Sequence, residues 1–194
     1  MKIKLFVSLI AFICVASFAV EAPVQIIAKN DKELQTLLKK KNLTNKEKER
    51  IKGLLSDVFD FKLLAEKSLP TATWSALDEK TKSTFVSEFQ RMVRNSSAKK
   101  LEMYRTDSTR YDAVKMTKNN TEARVTAHLW YKGKESVLEY RMTFVDGSWM
   151  AWDLIIDDLS TARNYKEQFG KILETKTIND LIDIIRKKAD SSEE

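Results

Sequence analysis

Up to about Tyr104 the apolar residues of this chain recur every third or fourth position, and beyond Arg110 they recur every second one. That single change of period dictates helices first and a sheet afterwards, because side chains return to one face after about 3.6 residues on a helix and after about two on a strand. Ile26, Ile27, Leu34, Leu37 and Leu38 mark a first helix between Pro23 and about Lys40, interrupted near Asn30-Asp31. Thr44-Asn45-Lys46-Glu47 has the pattern of a capping box and opens a second helix carrying Ile51, Leu54, Leu55 and Val58. Asp60 can cap a short third helix through Leu63, Leu64 and Leu69, after which Pro70 and the polar stretch Thr71 to Ser75 break the pattern. Asp78 caps a long helix whose stripe holds Phe85, Phe89, Met92, Val93, Leu101 and Tyr104, with Asn95-Ser96-Ser97 marking a bend.

The alternating half reads as an antiparallel meander of about four strands over 109–118, 121–132, 136–145 and 148–156. Gly133 and Asp146-Gly147 fall in the connections, and Asp-Gly is a strong hairpin signal because both turn positions favour positive φ. A helix from about Ser160 to Gly170 and a last one over 172–187 complete the chain. Helices gathered before and after one run of strands give an α+β fold, with helices packed on one face of the sheet. The last strand, Trp149 to Ile156, is apolar on both faces, so both are covered or one borders a cavity. With only four Gly and two Pro, the chain has little room for long irregular loops.

Residues 1–19 read as a secretory signal: Lys2 and Lys4, an apolar run from Leu5 to Val15, and small residues at Ser17 and Ala19 before the cut. The run is shorter than the ~20 residues of a membrane span. Residues 20–194 are then a single domain in an oxidising compartment. The only cysteine, Cys14, lies in the removed segment after the bulky Ile13, which does not suit lipid attachment. No thiol chemistry or disulfide remains. Loss of the two lysines leaves 32 basic against 28 acidic residues, too even a balance to favour nucleic acid. Lys39-Lys40-Lys41 reads as a solvated helix end.

A search for reactive constellations finds none that holds together. His128 is the only histidine and stands mid-strand without a partner spacing for metal, and the glycines are too scattered to cradle a phosphate. Asp153, Asp157 and Asp158 form an acidic cluster at a strand end. Their simplest use is structural: Asp158 or Ser160 capping the next helix and Asp153 bonding to neighbouring backbone or an Arg. No catalytic residue, metal site or cofactor is assigned.

The segment Trp149-Met150-Ala151-Trp152-Asp153-Leu154-Ile155-Ile156-Asp157-Asp158-Leu159-Ser160, followed by Asn164-Tyr165 and Gln168-Phe169, resembles the signature of the MlaC family, the toluene-tolerance proteins that serve lipid ABC transporters. Phe59-Asp60-Phe61, Leu64-Ala65, Leu69, Trp74 and the pair Phe85 and Phe89 are similar to that family's upstream pattern, so the likeness spans about residues 23–187. Three positions depart from it: Asp158 stands for Gly, Lys166 for Arg, and Leu69-Pro70 for Leu-Gly with an extra residue before Trp74.

The resemblance implies a periplasmic carrier, not an enzyme, that holds a phospholipid by its tails and ferries it between outer and inner membranes, maintaining outer-membrane lipid asymmetry. It implies as partners an inner-membrane ABC transporter complex with an MCE-type component, an outer-membrane lipoprotein–porin complex, and passing contact with membrane surfaces; the carrier itself is expected to be monomeric. Two sixteen-carbon tails hold about 30 methylenes, whose exposure at roughly 0.8 kcal/mol each would cost over 20 kcal/mol. They call for the upper end of the ~300–1,000 Å³ range of ligand pockets. The expected lining is Phe61, Trp74, Phe85, Phe89 and Met92 from helices, Leu138, Tyr140, Met142 and Phe144 from the third strand, and Met150, Trp152, Leu154 and Ile156 from the fourth. A protein-binding or chaperone module and a small envelope-lipid hydrolase are the alternatives.

Overall fold

The computed structural model describes residues 21–98, 104–117 and 119–192. The leader at 1–19 with Cys14, and Leu101 on the long helix, lie outside the described residues. Five helices come first: α1 (Pro23–Leu38), α2 (Asn45–Leu54), α3 (Phe61–Lys67), α4 (Thr71–Ala76) and α5 (Glu79–Ala98). Then come β1 (Ser108–Tyr111), β2 (Lys115–Met116), β3 (Glu122–Tyr131), β4 (Lys134–Val145), β5 (Ser148–Ile156) and β6 (Leu159–Ser160), and finally α6 (Thr161–Leu173) and α7 (Ile178–Asp190). The α+β class holds, with more strands than the alternation alone implies.

Local chemistry sets most helix starts. The Thr44 side chain accepts from the Glu47 N–H while Glu47 reaches back to the Thr44 N–H at 2.9 Å, and Thr177 with Asp180 repeats the box at α7. Asp60 accepts from the Leu63 N–H at 3.0 Å, and Asp78 from the Thr81 N–H at 2.7 Å. Several boundaries differ from the periodicity: α2 stops at Leu54, short of Leu55 and Val58, and α3 at Lys67, short of Leu69. α1 runs unbroken through Asn30 and Asp31, whose side chains bond outward to Leu54 and to β1 rather than to their own backbone. Thr71 to Ala76 forms a short helix after Pro70, which cannot donate but starts a helix well. α6 passes through Gly170 to Leu173, and α7 begins only at Ile178, after its cap.

The sheet is antiparallel in the order β1-β3-β4-β5-β6, with β2 also on β3. The expected first strand is thus two short ones, parted at 112–114. β4 and β5 slip register between Arg141 and Met142: Arg141 opposes Asp153 but Met142 opposes Ala151, leaving Trp152 as the extra residue of a bulge. The residues of β5 that share a face with Leu138 and Tyr140 are therefore Leu154 and Ile156 below the bulge, and Ala151 and Trp149 above it. Past that point the outer side of β5 is paired by the chain at 58–60: Ala151 donates to Val58 and Asp60 donates to Ala151, both at 2.8 Å.

Three separate cores result. Phe61, Leu64, Phe85, Phe89, Met92, Phe169, Leu181 and Ile185 fill the space among α3, α5, α6 and α7. Ile27, Val58, Val125, Met142, Trp149 and Ala151 join the sheet to α1, and Leu34, Leu37, Leu38, Ile51 and Leu54 join α1 to α2. Among the described residues no helix is long and apolar enough to cross a membrane.

Candidate functional site

Where the three cores approach one another they leave a cavity of about 570 Å³ between the sheet and the helices. Leu64 of the first core, Ile27 and Val58 of the second and Leu34 and Leu54 of the third all reach its wall. Leu129 of β3, Leu138 and Tyr140 of β4, and Leu154 and Ile156 of β5 form the sheet side. Val93, Ser96 and Ser97 of α5, Tyr104, and Asn164 and Tyr165 of α6 add to the wall, as do Phe59, Asp157 in the turn after β5, and Leu159 of β6.

Of the thirteen side chains expected to line a cavity, Leu138, Tyr140, Leu154 and Ile156 do so. The rest are placed elsewhere. Met142 and Phe144 share the face of Tyr140 but lie beyond the bulge, where the second core takes them in. Met150 and Trp152 fall on the opposite face because the bulge reverses the alternation of β5; the Trp152 ring there carries the Arg141 guanidinium 5.8 Å from its centre. Phe61, Phe85, Phe89 and Met92 are buried in the first core, and Trp74 packs against it. Phe85 and Phe89 stack at 5.7 Å, Phe169 stands edge-on to both, and Tyr165 meets Phe89 edge-on at 4.9 Å. These rings fill the layer behind Tyr165.

The wall residues that the expected lining missed include apolar ones such as Ile27, Leu34, Leu54, Val58, Leu64 and Leu129, and polar ones on helices. Asn30 and Asp31 interrupt the stripe of α1, and Ser96 and Ser97 that of α5, and both interruptions face the cavity. The Asn30 amide donates to the Leu54 carbonyl at 2.9 Å. Asp31 accepts from the Tyr111 hydroxyl at 3.0 Å, Thr109 at 3.2 Å and Gln35 at 3.3 Å, which ties α1 to β1. Burial, and then the Asp31 charge, hold the Tyr111 hydroxyl far above its ordinary range. Gln35 also donates to the Tyr104 carbonyl at 2.7 Å and accepts from the Thr106 N–H at 3.1 Å, fixing the segment that presents Tyr104. Burial likewise raises the hydroxyls of Tyr140 and Tyr165, so both stay neutral. Among the described lining residues there is no lysine or arginine.

The acids and the histidine do not meet. Asp153 is buried, accepting from the Ser160 hydroxyl at 2.7 Å and the Ala162 N–H at 2.9 Å, while Ser160 accepts from the Arg163 N–H at 3.1 Å. Together they start α6. Asp157 and Asp158, at φ 46° and 68°, form a two-residue left-handed turn between β5 and β6, and the Asp157 carboxylate accepts from the Val137 N–H at 2.9 Å. His128, on the face away from the cavity, lies between Glu135 at 2.8 Å and Asp112 at 3.1 Å. Among the described residues no group of three or more His, Cys, Asp or Glu is placed to hold a metal ion.

The family model for MlaC protein matches residues 28–187. Solved structures of similar fold include the phospholipid-binding protein of Ralstonia solanacearum in complex with a phospholipid, which is 17% identical, with 90% of this chain and 99% of that chain covered and a TM-score of 0.74. No curated protein matches the chain. The residues that carry the family likeness divide between framework and wall: Trp149 and Phe169 are core and Asp153 joins β5 to α6, whereas Phe59, Leu64, Leu154, Ile156, Ser160, Asn164 and Tyr165 touch the cavity.

Proposed function

The chain belongs to the MlaC family, and from that premise we propose that it is a periplasmic phospholipid carrier which, after loss of the leader at 1–19, holds its cargo in the cavity between sheet and helices. The observation that carries this reading is the hollow itself. Interiors normally pack to crystal density, so a void of about 570 Å³ bounded by three cores is space left for a guest. At about 30 Å³ per methylene-sized group it has room for roughly 19 of them, one long acyl chain in this conformation. A two-tailed lipid requires the walls to part. The bound phospholipid of the Ralstonia protein, on a similar fold, supports the same cargo class here.

As a carrier the protein takes part in a relay, receiving or delivering lipid at an inner-membrane ABC transporter with an MCE-type component and at an outer-membrane lipoprotein–porin complex, and so maintains outer-membrane lipid asymmetry. It does this as a monomer without cofactor or catalysis. His128 lies across the sheet from the hollow, which gives a hydrolase reading no support.

The test is mass spectrometry of the organic extract of purified protein, wild type beside Leu154→Glu and Ile156→Glu. Leu154 and Ile156 are wall residues outside all three cores, so the variants should fold. Stoichiometric phospholipid in the wild type and at least tenfold less in Leu154→Glu is the expected result. A wild-type extract without lipid, from protein that also takes up none from vesicles, would sink the proposal.

A further inference from the structure

The cavity wall is not uniformly oily. Of the five tyrosines in the chain, Tyr111 donates its hydroxyl to Asp31 and Tyr131 lies outside the cavity wall. The other three, Tyr104, Tyr140 and Tyr165, all line the hollow, and they arrive there from three different parts of the chain: the segment held by Gln35, strand β4 and helix α6. None of these three hydroxyls bonds to the protein among the described residues, and none is sealed from the hollow. All three belong to the wall of this one hollow.

A hydroxyl pressed against hydrocarbon loses its hydrogen bond to water and regains nothing, which is unfavourable at each of three positions. A guest made only of methylenes would therefore bind poorly beside them. A guest carrying acceptor oxygens at that depth would not. The choice of acceptor follows from charge: Asp31 and Asp157 line the same hollow, and no cationic side chain does among the described residues, so an anionic phosphate or carboxylate is disfavoured there. Neutral acceptors remain. We propose that Tyr104, Tyr140 and Tyr165 form a hydrogen-bonding collar for the ester carbonyls that join the tails of a glycerolipid to its backbone, so that the carrier selects ester-linked lipids and leaves the phosphate outside. This inference rests on the carrier reading and adds to it a recognition rule.

Full-length mature protein, stripped of lipid, is incubated with vesicles holding equal amounts of dipalmitoyl phosphatidylglycerol and its ether-linked dihexadecyl counterpart, and the bound lipids are quantified by mass spectrometry. The two share headgroup and tail length and differ only in the carbonyls. Wild-type protein should load the ester lipid in roughly tenfold preference, since a site built around hydrogen bonds discriminates against a guest lacking them. Tyr140→Phe combined with Tyr165→Phe keeps both rings and the packing on Phe89, and should bring the ratio close to one. Tyr131→Phe should leave it unchanged. Equal loading of both lipids by the wild type, or an unaltered preference in the double variant, overturns the collar while leaving the carrier standing. Failure to load either lipid overturns both.

Discussion

His128 has a carboxylate on each side of its ring, Glu135 at Nδ1 and Asp112 at Nε2, and Trp130 stacked on its face at 6.0 Å. The bond to Glu135, then that to Asp112, raises the pKa of the histidine above its ordinary value, and the bond to His128 in turn lowers that of Asp112. Because the folded-state value is the higher one, the protonated ring favours the folded state. That contribution is complete below the unfolded value of about 6.5 and is lost as pH rises through the folded one. Urea midpoints measured across that window should fall more for the wild type than for His128→Gln; parallel curves would mean that the pairs are too well solvated to matter. At this scale the caps at Thr44, Asp60 and Asp78 were legible, since each acts through a neighbour three positions away, whereas the Thr177 cap went unread and the last helix was expected from Ile172 rather than Ile178. The division between lining and core was not. Phe89 and Tyr165 touch each other, yet one is fully buried and the other faces the hollow, and no local pattern distinguishes them.

Gly170 shows how an element can override its own punctuation. Read alone, it is a helix stop; in place, it is an interior residue of α6, and a Cβ there would meet only the Pro70 ring at 3.9 Å, an ordinary contact. Its backbone is helical, so Gly170→Ala should stabilise the protein by about 1 kcal/mol and raise the melting temperature by roughly 2–4 °C. Calorimetry decides it, and a lower melting temperature would mean that α6 needs the close approach to Pro70. The turn after β5 is the reverse case. Asp158 replaces the family's glycine at φ 68°, and the Asp157 bonds to Val137 hold the strained turn against β4. Strand existence was clear from the alternation, but the bulge at Trp152 was not, because apolar residues fill both faces of β5 and either parity fits. One inserted residue moved Met150 and Trp152 to the other side of the sheet.

The molecule as a whole is three cores around a hollow, and its stability should reflect that. On the carrier reading, removing the lipid leaves the walls of all three cores facing empty space or water, and a ligand at a hundredfold excess over its Kd contributes about 2.7 kcal/mol. Delipidated protein should therefore melt several degrees below protein reloaded from vesicles, and Leu154→Glu should show no such difference. Identical melting curves for loaded and stripped wild type would place the lipid outside the interior. The class of fold, and the alternative that one face of the last strand borders a cavity, followed from periodicity, whereas the position of the hollow depends on how α1, α5 and α6 approach the sheet, which no single stretch of sequence encodes.

The strip at 58–60 that zips onto β5 has a further effect. On the carrier reading, a sheet that loosens to admit cargo would otherwise offer bare amides and carbonyls along that rim to any passing polypeptide. With that rim already occupied, and the far margin broken into the short β1 and β2, the fold offers no long bare strand edge along which copies could add into fibrils.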